Sequence, residues 1–191
     1  MAIRKIAQIG HPILRQRAAE VPLGTIETPA FQQLVDDLIE TMYDANGAGL
    51  AAPQIYQPVR LVAIHVENNP RYPHKPPIPL TVLVNPVVTP LTEEKFDNYE
   101  GCLSVPNIRG IVPRFARVRV TGLDRHGKPF EREAAGFTAG TFQHELDHLD
   151  ATIFVDRVVD TKSLTTWTEF ERHHMAPFFE RAKGIVAKYG G

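Results

Sequence analysis

Between Pro29 and Asn46 apolar residues recur at helical spacing: Phe31, Leu34, Val35, Leu38, Met42 and Tyr43 form one stripe. Thr28 can cap the start of this helix, Pro29 suits its first turn, and Asn46-Gly47 supplies a stop. It reads as scaffold. Val59 to Val66 is a β-branched apolar run, the signature of a strand. Residues 68–79 then carry five prolines among polar residues, an irregular surface excursion and not a domain linker, because strand-like sequence resumes at Leu80-Thr81-Val82-Leu83-Val84. Asn85-Pro86 ends that strand. Arg117 to Leu123 alternates with period two, Asp124-Arg125-His126-Gly127 makes a turn, and Phe130 to Ala134 returns as a hairpin partner. Phe137 to Leu149 reads as a helix, and Ile153-Phe154-Val155 as a short apolar segment. A last helical stretch begins near Ser163 and includes Trp167, Phe170, Phe178 and Phe179, with Pro177 kinking or dividing it. This order predicts an α+β fold, with mostly antiparallel sheets around the helix at 137–149 and further helices toward each end.

Composition narrows the class. At 191 residues the chain is read as one domain spanning 1–191, large enough for a proper core. A net charge of −1 gives no general nucleic-acid or membrane-binding surface. No stretch approaches the roughly 18 apolar residues of a membrane span. Met1 to Gln8 shows neither a secretory nor an organelle-import pattern. The expected location is the cytoplasm, or an organelle if a leader has been removed.

The chemistry concentrates in Gln143-His144-Glu145-Leu146-Asp147-His148-Leu149-Asp150. His144 and His148 stand at i and i+4, on one helix face, where both imidazoles can reach one cation. Glu145 projects beside them, placed to act as a general base. The plain alternative is a helix with two surface histidines. A tetrahedral catalytic site normally has three protein ligands, and two sources for the third stay open. Glu169 and Glu171 lie downstream, where zinc endopeptidases carry a glutamate. Upstream, Cys102, the chain's single cysteine, sits in Glu100-Gly101-Cys102-Leu103-Ser104-Val105-Pro106; it reads either as a small buried hydrophobe or as a thiolate ligand. Gly101 permits close backbone approach and Pro106 stiffens the exit, whereas nothing around Glu169 distinguishes it from an ordinary charged helix face. Gly47-Ala48-Gly49-Leu50-Ala51-Ala52-Pro53-Gln54 is a glycine-containing loop that lacks the Gly-Lys-Ser/Thr of a phosphate loop; it is a tight turn or a ligand-contacting loop. His65, His126, His173 and His174 read as ordinary histidines.

These three stretches, 47–54, 100–104 and 143–148, resemble the three signature motifs of peptide deformylases, in that family's order. The resemblance runs from His11-Pro12-Ile13-Leu14-Arg15 to about Arg157. The family varies in the regions of 68–79 and of the C-terminal helix, 163–191. Ala151-Thr152 replaces a glycine-containing step commonly seen after the last motif. The resemblance implies an α+β fold built around a metal-binding helix, and a hydrolase that removes the N-formyl group from the N-terminal methionine of new polypeptides, releasing formate. It implies Cys102, His144 and His148 as ligands of one divalent metal, iron(II), with zinc, nickel or cobalt possible in a purified sample. It makes Glu145 the base and gives the oxyanion to the Gln54 amide and the Leu103 backbone N–H. Gly49 lets the Gln54 loop pass close to the metal. The peptide backbone would pair at Ala48 and Gly101, with Arg109 near the peptide unless it is a plain surface arginine. Gly101, Thr141 and His144 would line the methionine pocket. Expected partners are N-formylmethionyl nascent peptides. Arg172, Arg181, Lys183 and Lys188 beside Phe178 and Phe179 suggest a transient ribosome contact, without nucleic-acid specificity and with no membrane.

Overall fold

The computed structural model describes residues 2–67 and 75–190. Most of the proline-rich excursion, 68–74, lies outside the described residues. The first helix, α1 (Pro29–Asp44), begins where the stripe predicts, with Thr28 Oγ1 accepting from Phe31 N. Strands β1 (Gly49–Ala51), β2 (Leu61–Val66), β3 (Ile78–Pro90), β6 (Arg117–Leu123) and β7 (Pro129–Ala135) form an antiparallel sheet in the order β1-β2-β3-β6-β7. A second antiparallel sheet joins β4 (Lys95–Cys102), β5 (Val105–Phe115) and β8 (Thr165–Thr166).

The period of two in β2 divides the core. Leu61 and Ala63 join the α1 residues Phe31, Val35, Leu38 and Met42 on one face of the larger sheet. Val62 and Ile64 point the other way, into a cluster with Ala139, Phe142, Leu146 and Leu149 of α2 (Gly136–Leu149). A strand covered on both faces has no polar side to show, which is why β2 reads as a continuous apolar run. Helix α2 is enclosed on both sides, by the larger sheet and by β4 and β5, and every residue in it except His144 is buried.

Two boundaries differ from the sequence pattern. Asn85-Pro86 does not end β3: the strand bulges there and pairs with β6 through Pro90. Asn85 takes a left-handed φ of 51° and turns its amide to the Val21 backbone, accepting from Val21 N at 2.8 Å and donating to Val21 O at 2.9 Å. The missing ladder bonds at Pro86 are thereby absorbed. Residues 95–115 carry no apolar alternation, yet they form the β4–β5 hairpin. The C-terminal stretch starts as β8, turns into α3 (Trp167–Glu169), widens to a π-turn over Phe170–His174 and continues as α4 (Met175–Tyr189). The wide turn falls just ahead of Pro177, whose ring displaces the carbonyl one turn earlier. Phe170, Phe178 and Ala182 pack with Phe96, Tyr99 and Phe137, so this run seals the outer face of the smaller sheet.

After α2 the chain reverses at Ala151, which takes a φ of 60° while Thr152 N donates to Asp147 O. This is the left-handed helix stop that suits glycine, and alanine bears a steric cost there. Ala151→Gly should therefore stabilise the chain by about 1 kcal/mol. A urea midpoint raised at constant m-value is the expected readout, and an unchanged or lowered midpoint would contradict it.

Candidate metal centre and active site

Three chain segments converge on one end of α2. The helix supplies His144 and His148 one turn apart, their ring centroids 5.3 Å from each other. Strand β4 ends at Cys102, whose Sγ lies 3.4 Å from His148 Nε2. Ligand atoms of Cys102, His144 and His148 all fall within 4.8 Å of one another, and among the described residues they form the group that could hold a metal ion. The donor set of one thiolate and two imidazoles, with room for a further ligand, fits a divalent transition metal. The downstream glutamates do not compete. Glu169 pairs with Arg172 and His173 on an exposed helical turn, and neither it nor the exposed Glu171 belongs to this group.

The sulfur is electrostatically prepared. Burial alone would push the Cys102 thiol up; the charge of His148, with hydrogen bonds from both histidines, outweighs it and brings the pKa down to about 5. Ser104 N at 3.4 Å and Gln54 Nε2 at 3.6 Å add donors to the same atom. A thiolate is the form that binds metals. Desolvation would lower the half-buried His144, but its contacts with Cys102 and Glu100 hold its pKa well above the usual value.

Gln54 sits in the 3₁₀ turn Ala52–Ile55, directly after β1, and is 2 % exposed. Its Oε1 accepts from Ala51 N at 2.8 Å, and that bond to an obligate donor fixes which end of the amide is nitrogen. Nε2 consequently faces Cys102 and Ser104, donating to Ser104 Oγ at 3.0 Å. Leu103 lies in the tight turn joining β4 to β5. Glu145 is buried, its Oε2 has no hydrogen-bond partner among the described residues, and burial pushes its pKa up despite the two histidines. A Cβ on Gly49 would lie 2.5 Å from Glu145 Cδ, so β1 can run this close to the carboxylate only with glycine.

Beneath these side chains runs a buried charge ladder. Glu100 accepts from Arg114 Nε at 2.7 Å and from Nη2 at 2.8 Å, and its Oε2 meets His144 Nδ1 at 2.8 Å. Arg114 Nη1 reaches Asp147 Oδ2 at 2.7 Å, and Asp147 is also held by Arg157 Nε at 2.6 Å. Burial would raise Glu100, but Arg114 and His144 keep it well below the ordinary carboxylate range. The carboxylate thus stays ionised and holds Nδ1 of His144, leaving Nε2 turned away from it.

The family profile of polypeptide deformylases matches residues 3–164. The chain belongs to the polypeptide deformylase family. It is 47% identical over 158 residues to peptide deformylase 1 of Bordetella pertussis, covering 83% of this chain and 89% of the relative. With peptide deformylase 2 of a Nostoc species it shares 44% over 166 residues, 87% of this chain and 92% of the relative. Among solved structures, a class I type b peptide deformylase from Acinetobacter baumannii bound to Met-Ala-Ser superposes with a TM-score of 0.79 at 38% identity, over 82% of this chain and 99% of that one. A peptide deformylase from Legionella pneumophila gives 0.74 at 36% identity over 96% and 98%. The chain is accordingly a metal-dependent hydrolase that removes the N-formyl group from the N-terminal methionine of newly synthesised polypeptides, releasing formate.

The structure brings together Cys102, His144, Glu145, Gln54, Leu103, Gly49, Ala48 and Gly101 around one cavity of about 40 Å³, with His148 beside Cys102 and His144. Arg109 lies beside that group and not on the surface: it is 3 % exposed, with its guanidinium 4.6 Å from the Trp167 ring and 4.7 Å from that of Phe170. Sequence reasoning passed over Arg114, Asp147, Arg157 and Lys75. Arginine and lysine are ordinarily exposed, and nothing in their local sequence marks these for burial. Removing one member of the ladder leaves charge buried without compensation, so Arg114→Leu should cost about 3–5 kcal/mol in urea denaturation. Glu100→Ala should lower metal affinity about 10–100-fold in a chelator competition. Retained affinity in that variant would show that Glu100 does not orient His144.

Proposed function

We propose that Cys102, His144 and His148 hold one divalent cation, iron(II) in the cell, and that Glu145 carries the proton in deformylation. The observation that supports this most is the convergence of a thiolate and two imidazoles beside a buried glutamate with one oxygen unpartnered among the described residues. The soft thiolate suits iron, zinc, nickel and cobalt alike, so a purified sample can carry any of them. When bound, the metal supplies Lewis acidity to the formyl oxygen and to the attacking water. Glu145 takes a proton from that water as its oxygen bonds to the formyl carbon. Negative charge then gathers on the formyl oxygen, where the Gln54 amide and the Leu103 N–H donate to it. Losing one such donor costs about 2.7–4 kcal/mol of transition-state stabilisation. The C–N bond breaks as Glu145 gives its proton to the amine nitrogen, leaving formate and a free N-terminus.

The peptide is read as an added strand. Strand β1 lies at the end of one sheet order and β4 at the end of the other, and both border the cavity. Ala48, Gly49 and Gly101 can then pair with an extended backbone. Gly101, Thr141 and His144 seat the first side chain. Arg109, with Trp167, lines the adjoining cleft of about 370 Å³, where later residues of the peptide lie. The Acinetobacter baumannii relative bound to Met-Ala-Ser supports a peptide that begins with methionine.

Residues 1–191 are proposed to act as one catalytic domain in the cytoplasm, where a ligand thiol is kept reduced. Among the described residues no helix is long and apolar enough to cross a membrane. Phe178→Ala, emptying a site that is 1 % exposed, should cost about 3–5 kcal/mol in a single cooperative transition. A separate transition for the C-terminal helix would instead mark two units. A ribosome contact would use the exposed Arg172, Arg181 and Lys183 without Phe178, which faces the core.

Formyl-Met-Ala-Ser hydrolysis tests the chemistry directly. Glu145→Ala should retain the metal and lose at least about 100-fold in kcat, and Cys102→Ala should lose both metal and turnover. A Cys102→Ala enzyme with full metal content and activity would overturn the assignment.

A further inference from the structure

The catalytic cavity contains a cation that the deformylation chemistry above does not use. Lys75 stands ahead of β3, and its stem runs inward so that Nζ donates to Thr141 Oγ1 at 3.0 Å. The lysine lines the same cavity as Gly49, Glu100, Gly101, Thr141, His144 and Glu145. Asn98 lines it as well; its Nδ2 donates to Glu100 Oε1 at 3.1 Å, while its Oδ1 is buried without a partner among the described residues. Burial pushes the Lys75 ammonium down to about 8 against the raising influence of Glu100 and Glu145.

We infer that Lys75 is a specificity-determining residue, which makes this cavity accept N-formyl peptides whose first side chain ends in a hydrogen-bond acceptor. The inference rests on the proposed seating of that side chain against Thr141. Lys75 and Thr141 both line this cavity and are joined to each other, so a side chain seated against Thr141 meets Nζ. A hydrocarbon end cannot accept from an ammonium and strips contacts without replacing them. A sulfoxide or carboxamide oxygen replaces the Thr141 hydroxyl as acceptor, and the thioether of methionine does so weakly. The preferred class is thus methionine together with oxidised methionine or glutamine, over norleucine, which has the length of methionine and no acceptor.

The test compares kcat/KM of the metal-loaded, full-length enzyme on formyl-X-Ala-Ser with X as norleucine, methionine, methionine sulfoxide or glutamine. Wild type is set against Lys75→Met and Lys75→Leu, with circular dichroism confirming that each variant folds. The ratio of sulfoxide or glutamine peptide to norleucine peptide should fall by about tenfold or more in both variants. An unchanged ratio overturns the inference. So does an equal gain for all four peptides, because the lysine would then only fill space. If wild type turns over formyl-Met-Ala-Ser but the ratio stays constant, the role of Lys75 fails alone. If it turns over none of the four, the reading of the cavity fails with it.

Discussion

Arg114 is the constraint on which the remainder of the site depends. Its guanidinium is 2 % exposed and lies between two buried carboxylates, Glu100 of the neighbouring strand and Asp147 of the central helix. A planar fork with donors in several directions can serve both, where a lysine would offer one compact charge. The pairing sets the separation between hairpin and helix, and hence between Cys102 and the two histidines. It also leaves Glu100 ionised and free to hold His144 from behind. Such a ladder adds little net stability compared with a well-packed apolar core, because desolvating the charges offsets most of their attraction. Its effect is geometric: no slipped register of β4 against α2 satisfies all the charges at once.

The parts of the fold legible in the sequence are those where a side chain's polarity reports its burial. Helix α1, strand β2 and the β6–β7 hairpin are of this kind, because their inward residues are apolar and recur at 3.6 or 2. The β4–β5 hairpin breaks that correspondence. Its buried positions include Asn98, Glu100, Arg109 and Arg114, charged or polar because they serve the site, so the strand pattern is erased where the chemistry is densest. The same inversion hides Lys75 and gives Arg109 the look of a surface residue. At Asn85-Pro86 the local signal for a strand end is real, but a bulge and the Val21 backbone accommodate it.

The site itself was more legible than its surroundings. The i, i+4 histidines point to a metal face without any structure, comparison of all three stretches with one family makes Cys102 the expected third ligand, and the structure brings these three side chains together. Tertiary structure adds what spacing cannot carry: the orientation of the Gln54 amide by Ala51, the two donors aimed at the sulfur, and the closeness of Gly49 to Glu145. In the C-terminal run, the aromatic residues that looked like a partner surface divide by helical face. Phe170, Phe178 and Ala182 turn inward, leaving the basic residues outside.

The placement of β1 and β4 at the borders of two different sheets also has a meaning in time. If the peptide pairs there as proposed, the cleft takes a bare, extended segment of main chain and not a terminus already tucked into a folded body. Ribosomes extend chains at about 5–20 residues per second, and N-terminal domains begin to fold during synthesis. The interval between emergence of the first residues and their burial is therefore a matter of seconds. On the strand-like seating proposed for the peptide, catalysis at this centre is a race against the folding of its own substrate.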